Sequence, residues 1–296
     1  MKKLFLFIAV SLFSKAIIAQ GCSDAGFCTI GTFANTQKNT NELKVGSAFG
    51  VGEQSINIVT PYVQYNKNFT NFQLQVKANF NSASKNNTSV TQLGDVFVVG
   101  VSSFKKKSNS QLFLNYGFKF PLGSEDYKQG ISLPLAYQST LGTIDFITGL
   151  TLQVKQWNFS TALQIPLTKN NKNSFISPNP PSEFSNFVST RLFNRKTDLL
   201  FKASRDFNVS DKVNISTGAL AIYHLGNDSY TDNSGVVYAI NGSSGFTINI
   251  NTALNWKISN KVSFNLNIGA PIVVRKARPD GLTRSFVAIP EFIFKL

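Results

Sequence analysis

The stretch FTININTALNWKI, residues Phe246 to Ile258, decides the fold. Apolar side chains fall on every second position for most of its length, and Thr, Asn and Lys fill most of the positions between them. Successive side chains of a β-strand point to opposite faces. The alternation therefore predicts a strand with one apolar face and one polar face.

The same alternation continues through most of the chain after about residue 42. It recurs in VSFNLNIGAPI at 262–272, directly after the polar turn at 259–261, and in the stretches that begin at Phe72 and Trp157. The predicted strands are 43–53, 55–66, 69–81, 90–104, 109–121, 131–155, 157–168, 197–208, 211–225, 244–257, 260–274 and 283–296. Twelve strands are the first choice, and fourteen follow if Ile131–Gln138 and Phe184–Asn194 form strands of their own.

The connections between these strands separate into two groups. The longer ones are 81–89, 123–130, 168–196, 226–243 and 275–282, and the shorter ones are 66–68, 105–109, 155–156, 209–211 and 259–261. Membrane barrels have short periplasmic turns and longer extracellular loops. With an even number of strands, both ends of the barrel then lie on the periplasmic side.

A soluble β-sandwich also shows alternating strands, so it is the competing fold. Three features favour a membrane barrel. The blocks are close to the roughly 9–11 residues that a tilted strand needs to cross a bilayer. Their polar faces are rich in Asn, Gln, Ser and Thr, as suits a wet interior, and the connections show the asymmetry described above. We therefore predict an all-β fold: a closed antiparallel transmembrane up-and-down β-barrel.

The first residues indicate export. Lys2 and Lys3 precede the apolar run Leu4–Phe13, and small residues follow at Ala16 and Ala19, which is the pattern of a cleaved signal peptide. The run is too short to span a bilayer as a helix. The prediction is a signal peptide at 1–19, a periplasmic N-terminal segment at 20–41 and the barrel at 42–296. A lipoprotein anchored through Cys22 is the alternative, although Gln20 fits a lipobox poorly.

The two cysteines, Cys22 and Cys28, both lie in this N-terminal segment. Export implies an oxidising compartment, so a local disulfide between them is expected, with two free thiols as the alternative. The single histidine, His224, is far away in the sequence, so a metal site is not predicted.

The chain is basic, with a formal net charge of +14. A basic chain often binds nucleic acid, but an exported protein rarely meets any, so no nucleic acid is expected. Lipopolysaccharide, or an anionic solute inside a pore, is the more suitable counterpart. One histidine and 15 acids leave little material for acid–base chemistry. No catalytic residue and no cofactor is predicted, because the chain lacks the motifs of hydrolases and nucleotide enzymes.

Charged residues on the polar faces of the strands are candidates for lining the pore. The candidates are Lys77, Asp95, Lys119, Asp145, Lys202, Asp206 and His224, and the polar faces also include Lys155, Lys257 and Asp198. Rings of one charge select ions in pores, so a slight cationic excess suggests a preference for anions. The alternative is a salt-bridged interior without selectivity, and for Asp95 and Asp145 a structural role of this kind is favoured.

Three short motifs carry a resemblance to a known family. They are Leu93–Phe97 (LGDVF), Tyr116–Gly123 (YGFKFPLG) and Leu141–Phe146 (LGTIDF). Their order resembles the outer-membrane barrels of the MetA-pathway phenol-degradation family, distant relatives of fatty-acid and toluene channels. Leu122 stands where the family usually has Thr, and the third motif lacks a second glycine and a serine. The resemblance covers about a fifth of the chain and implies passive uptake of small hydrophobic or aromatic molecules.

The sequence thus predicts a channel of the bacterial cell outer membrane. The expected partners are outer-membrane lipids, lipopolysaccharide, a small-molecule solute and the barrel-insertion machinery, which typically reads a last strand such as Phe292–Leu296. A second hypothesis is a barrel without transport, which serves as a scaffold or as part of a surface or secretion assembly. A barrel of this size is either packed or open, depending on the side chains inside it.

Overall fold

The structure, a computed structural model, describes residues 40–104, 110–179, 182–280 and 286–296. Twelve strands form a closed antiparallel barrel. They are β1 (Glu42–Val51), β2 (Asn57–Asn68), β3 (Phe72–Lys85), β4 (Thr88–Ser103), β5 (Ser110–Pro121), β8 (Asp145–Val154), β9 (Trp157–Pro166), β10 (Asp198–Asn208), β11 (Val213–His224), β14 (Gly245–Lys257), β15 (Val262–Val273) and β16 (Val287–Lys295). The predicted closed barrel of twelve strands is therefore confirmed.

Two small hairpins lie in the connections rather than in the barrel. β6 (Lys128–Gln129) pairs with β7 (Ile131–Ser132), and β12 (Ser229–Thr231) pairs with β13 (Val237–Ala239). Two 3₁₀ turns, Glu53–Ser55 and Leu135–Tyr137, complete the described elements. No helix in the described ranges is long and apolar enough to cross a membrane.

Each barrel strand pairs with its neighbours in the chain, and β1 closes the barrel against β16 with Val45 opposite Phe292. The connections β2–β3, β8–β9, β10–β11 and β14–β15 are short and lie at the same end as both termini of the barrel, which we call the turn end. The opposite end, which carries the connections at 122–144, 167–197, 225–244 and 274–286, is the loop end.

The structure corrects two predicted boundaries. The predicted strand at 131–155 begins only at Asp145, because 133–144 folds inward with Leu133 and Leu141 fully buried. The predicted loop at 81–89 is instead a hairpin, since β3 runs to Lys85 and β4 starts at Thr88. The alternative of fourteen strands is wrong, because neither Ile131–Gln138 nor Phe184–Asn194 joins the barrel.

The outer face of the barrel is apolar. Large exposed side chains alternate along each strand, as in β14, where Phe246, Ile250 and Trp256 are exposed while Asn249 between them is buried. In a soluble protein so large an exposed apolar band would cause aggregation, whereas in a bilayer it contacts lipid. A closed antiparallel barrel with such an outer band is the architecture of a membrane-spanning β-barrel.

Two connections fold into the loop end and fill it. We call the described segments 133–143, 171–179 and 182–195 together the plug. Phe175, Phe184 and Phe187 of the plug pack against inward-facing residues at the loop-end tips of β2, β3 and β4, and Tyr137 packs edge-on against Phe184. The amide of Asn81 on β3 also donates to the backbone oxygen of Gln138. The loop end is therefore closed by a packed core of its own.

The signal peptide, almost all of the segment at 20–41, and both Cys22 and Cys28 lie outside the described residues. The cleavage site and the disulfide stay predictions.

Candidate functional site

The interior at the turn end holds a cavity of about 420 Å³. Its lining is mostly polar, with Asn and Ser side chains from β10, β11, β14 and β15. The charged residues among the lining are Glu42, Lys44, Lys202, Asp206, Lys257 and Lys295. Because the positions on these strands alternate, most inward polar residues are flanked by outward apolar ones. The same alternation therefore produces both the apolar outer band and the polar lining of the cavity.

The cationic excess of this lining is partly compensated. Lys44 Nζ lies 3.8 Å from Glu291 Oε1, and the same carboxylate accepts a hydrogen bond from the Tyr62 hydroxyl at 2.8 Å. Lys77 Nζ lies 3.9 Å from the centre of the Tyr62 ring. Lys44 and Lys77 are therefore part of one network with Tyr62 and Glu291.

An apolar strip covers part of the inner wall and extends from the level of the cavity, where Val101 lies opposite the lining residue Gln73, toward the loop end. It consists of Phe97, Val99, Val101, Phe113, Ile147, Ala162, Leu200, Leu220 and Ile222, all inward-facing and buried. Lys202 and Gly218 of the cavity are the next inward positions below Leu200 and Leu220 on the same strands. A molecule that leaves the cavity toward the loop end therefore meets an apolar wall.

Two carboxamides lie next to this strip without a hydrogen-bond partner among the described residues. They belong to Asn115 on β5, cross-strand from Val101, and Asn249 on β14, cross-strand from Leu220. Buried polar groups are normally paired, and a group that is not is costly unless a ligand or water satisfies it. Both carboxamides are buried, so a guest would reach them only if the surrounding side chains moved.

A buried ion network joins the barrel to the plug at the loop end. Lys119 Nζ and Asp145 Oδ2 are 3.0 Å apart on neighbouring strands, and both side chains are fully buried. Arg195, from the connection before β10, lies 3.7 Å from Asp145 and 2.6 Å from Asp198. Burial works to lower the pKa of Arg195, but the surrounding carboxylates raise it above its ordinary value. Arg195 is therefore a permanent cation that two strands share.

His224 extends this network into the next connection. Its Nδ1 lies 2.6 Å from Asp198 Oδ1, and its Nε2 lies 2.8 Å from Asp228 Oδ1. A carboxylate only accepts hydrogen bonds, so both ring nitrogens must donate, and His224 is an imidazolium. Asp228 also accepts from the backbone amide of Lys196. One histidine thus connects β10, β11 and two connections.

Three further contacts complete the closure. Arg275 pairs with Asp280 at 3.2 Å and donates to the backbone oxygen of Ser243 at 2.7 Å. Burial works to raise the pKa of Asp280, but Arg275 and Arg195 bring it below the ordinary value. On the opposite side, the Thr140 hydroxyl of the plug donates to Asp95 on β4 at 2.6 Å. The contacts of Arg275 with Ser243 and of Thr140 with Asp95 each join a connection to another part of the chain, whereas the Arg275–Asp280 pair lies within one connection.

The structure divides the predicted pore-lining residues between two places. Lys202 and Asp206 line the cavity, and Lys77 faces the interior above it. Asp95, Lys119, Asp145 and His224 lie instead in the buried contacts below or beside the plug. Lys155 does not face the interior, because it occupies the tight turn between β8 and β9 with φ 53°. Whether any of them lines a conducting path stays a prediction.

Sequence reasoning missed the partners that the connections supply. Arg195, Asp228, Arg275 and Asp280 lie in stretches without alternation, so no pattern indicated that they are buried. The apolar strip was missed as well, because inward apolar residues interrupt the alternation. The sequence did contain one signal for Arg195. This residue lies three residues before Asp198, the first residue of β10, so an ion pair between the two could have been considered.

The comparisons with known proteins agree with this barrel. A family model described as "Putative MetA-pathway of phenol degradation" matches residues 46–286, most of the chain. The chain belongs to this family. The match confirms the resemblance seen in the three short motifs, and it covers almost the whole barrel. No curated protein sequence matches the chain.

Among the solved structures that resemble this chain, the NanC porin shows the same barrel fold. The NanC porin superposes with a TM-score of 0.52 at 10% identity, over 86% of this chain and 100% of the other. The CymD monoaromatic hydrocarbon channel gives 0.45 at 9% identity, over 95% of each chain. The outer membrane phospholipase A from Escherichia coli gives 0.40 at 8% identity, over 86% of this chain and 90% of the other. At such low identity the likeness concerns the fold alone.

Proposed function

We propose that the protein is a passive channel for small molecules in the outer membrane. The observation that carries the proposal is the cavity of about 420 Å³ inside a closed barrel, lined by inward-facing polar side chains. A volume of this size is typical of small-molecule sites.

Small hydrophobic or aromatic molecules with a polar group are the solutes that the interior fits best. The apolar strip offers a surface for a ring or a short chain, and the unpartnered amides of Asn115 and Asn249 are suited to a hydroxyl or carbonyl group. Removing these amides from water without a partner is costly, so a guest that bonds to them is favoured over a pure hydrocarbon. The description of the family, which names phenol degradation, agrees with this class.

Transport in this account requires the plug to move. The apolar core around Phe175 and Phe187 and the ion network around Arg195 fill the loop end, so a solute passes only when plug residues separate from the wall. Local opening of connections on slow timescales is common in proteins and costs less than global unfolding. The channel is therefore closed at rest and opens by rearrangement of the plug.

Uptake into cells tests this proposal. Porin-deficient cells with an intact lipopolysaccharide layer are supplied with a labelled small phenol, and the initial uptake rate is compared with and without the protein. We expect a several-fold increase. The Leu220→Asn variant, which makes the strip polar, is expected to lose most of that increase, whereas the matched Leu220→Met variant preserves volume and apolarity and keeps it. Equal rates with and without correctly folded protein contradict the proposal.

The second candidate is a barrel without transport, and one observation favours it. The interior is filled from the strip to the loop end, with Leu135, Leu141 and Phe193 packed into a further buried cluster. A scaffold predicts that no loosening of the plug ever produces flux. The channel proposal predicts that loosening the plug increases flux. Variants that loosen the plug therefore separate the two functions.

A further inference from the structure

Two charged side chains point outward from the barrel strands in the described part of the chain. One is Lys67, the last residue but one of β2, which lies at the edge of the apolar band. The other is Arg205 on β10, which is followed by outward-facing Phe207 before the strand ends at Asn208. Arg205 is exposed, so its charge lies on the surface that contacts lipid. An arginine on the lipid-facing surface costs most at the middle of the bilayer and little near its edge, and Arg205 lies three residues before the end of β10.

Aromatic rings hold Arg205 in place. Its guanidinium carbon lies 5.5 Å from the centre of the Trp157 ring and 5.0 Å from that of Phe207. Trp157 is the cross-strand neighbour of Arg205 and stacks in turn on Phe159. Contacts of this kind favour a cation near a ring face and fix the guanidinium plane. The ring contacts do not use the N–H donors of Arg205. No described carboxylate forms an ion pair with Arg205 either.

Hydroxyl groups continue the polar row on the outer surface. Thr217 is the cross-strand partner of Arg205 on the other side, and Thr252 is the partner of Thr217. Both are exposed, and their hydroxyl oxygens lie 3.4 Å apart. Arg205, Thr217 and Thr252 thus form a continuous polar row across three strands whose other outward residues are apolar or small.

The surrounding turns add positive charge. Lys155, exposed in the β8–β9 turn, lies close by, since the backbone amide of Asp206 donates to Gln156 of that turn at 2.8 Å. Lys212 is exposed in the β10–β11 turn just below. Asp211 is the acidic residue of that turn and lies beside Lys212. The two turns thus carry two lysines and one acid, so the electrostatic potential around Arg205 is positive.

We propose that Arg205 binds the phosphate group of an anionic phospholipid in the leaflet at the turn end. Guanidinium donors match two phosphate oxygens at once, and the hydroxyl groups of Thr217 and Thr252 are suited to the glycerol or ester oxygens of the same lipid. Apolar residues above the row, such as Phe201 and Ala203, would contact its acyl chain. The inward-facing pore residues take no part, so this site is independent of transport.

Quenching of tryptophan fluorescence tests the site, because the chain has only 2 tryptophans. Trp256→Phe leaves Trp157 as the reporter beside Arg205. The protein is reconstituted in vesicles with bromine-labelled acyl chains on either phosphatidylglycerol or phosphatidylcholine, in mixtures of equal overall composition. We expect Trp157 to be quenched more strongly when the bromine is on phosphatidylglycerol. In Arg205→Gln the two lipids should quench about equally, because the charged donors are lost.

Two controls keep the result interpretable. Lys261→Gln removes one positive charge from another turn at the same end of the barrel, and it should leave the preference intact. Arg205→Lys, which keeps the charge but not the planar donors, should retain part of it. Folding of each variant is followed by heat-modifiable migration on gels. A preference that persists in Arg205→Gln, or that Lys261→Gln removes equally well, overturns the proposal in favour of general attraction to the basic end.

Discussion

His224 Nδ1 lies 2.6 Å from Asp198 Oδ1 across two neighbouring strands, while the opposite ring nitrogen contacts Asp228 of the following connection. Within the described ion network, the charged side chain of His224 is thus the one that links Asp228 to the wall of the barrel. Since Asp198 also binds Arg195, the wall and two connections share one set of buried charges. The closure of the loop end depends on electrostatics as well as on apolar packing.

Replacing His224 should destabilise the barrel. In His224→Gln the imidazolium is lost, and Asp198 and Asp228 remain buried with one cation fewer. Removing one partner of a buried ion pair typically costs about 3–5 kcal/mol. We expect the midpoint of urea unfolding, followed by tryptophan fluorescence, to fall accordingly. Asp228→Asn, which keeps a hydrogen-bonding side chain at the other end of the ring, should cost less, and an unchanged midpoint in His224→Gln would show that the network contributes nothing.

A close contact at Gly117 should be essential for barrel closure. A Cβ atom at this position would lie 2.2 Å from the backbone oxygen of Val98 and 2.7 Å from the Cα of Val99, so neighbouring backbones would have to move apart. We expect Gly117→Ala to reduce the yield of heat-modifiable barrel strongly. Gly226→Ala is the matched control, because its nearest contact would be the flexible Lys196 side chain at 3.4 Å. Equal yields of the two variants would contradict the close packing at β4 and β5.

The alternation of apolar and polar residues predicted most of the barrel for a physical reason. Lipid outside and polar groups inside impose opposite demands on successive residues, as in Phe246–Ile258, which forms β14 almost from end to end. The pattern failed at 133–144, where Leu133, Leu135 and Tyr137 also alternate but are buried inside the loop end. Period two shows that one face is apolar, and it does not show whether that face meets lipid or protein.

The alternating pattern also did not predict where the strands end. The polar stretch at 81–89 looked like a loop, yet β3 and β4 continue through it to Lys85 and Thr88. Outside the apolar band a strand meets water on its outer face, so Ser82 and Thr91 are tolerated there and bond to each other at 2.8 Å. The ion network could not be predicted either, because Arg195 and Asp280 meet only through the folding of distant connections.

Low pH should stabilise the folded protein through Glu53, which lies in the connection between β1 and β2. Burial raises the pKa of Glu53 to about 7, against the opposing effect of Arg278 and with a further contribution from Asp280. The folded state therefore holds this proton over a pH range in which the unfolded chain, with the ordinary value of 4.5, has already lost it. Stability from Glu53 is fully present below the unfolded value and is lost as the pH rises through about 7.

Thermal unfolding at a series of pH values measures this effect. We expect the unfolding temperature of the protein to fall between pH 5 and pH 8 by more than that of Glu53→Gln, which cannot ionise. Glu125→Gln, in another connection at the same end, serves as the control and should keep the slope of the unmodified protein. If Glu53→Gln has the same slope as the unmodified protein, the carboxyl group is not held protonated.

Single-channel recording in planar lipid bilayers tests the central claim, a channel that the plug closes. Arg195→Met removes the cation shared by Asp145 and Asp198, Lys196→Met removes the exposed neighbouring charge as a control, and His224→Gln loosens the same network in case Arg195→Met fails to fold. We predict rare, small openings for the unmodified protein and for Lys196→Met, and frequent, larger steps for the loosened variants. Silence from heat-modifiable barrels of every variant would contradict the account and favour a filled barrel without transport.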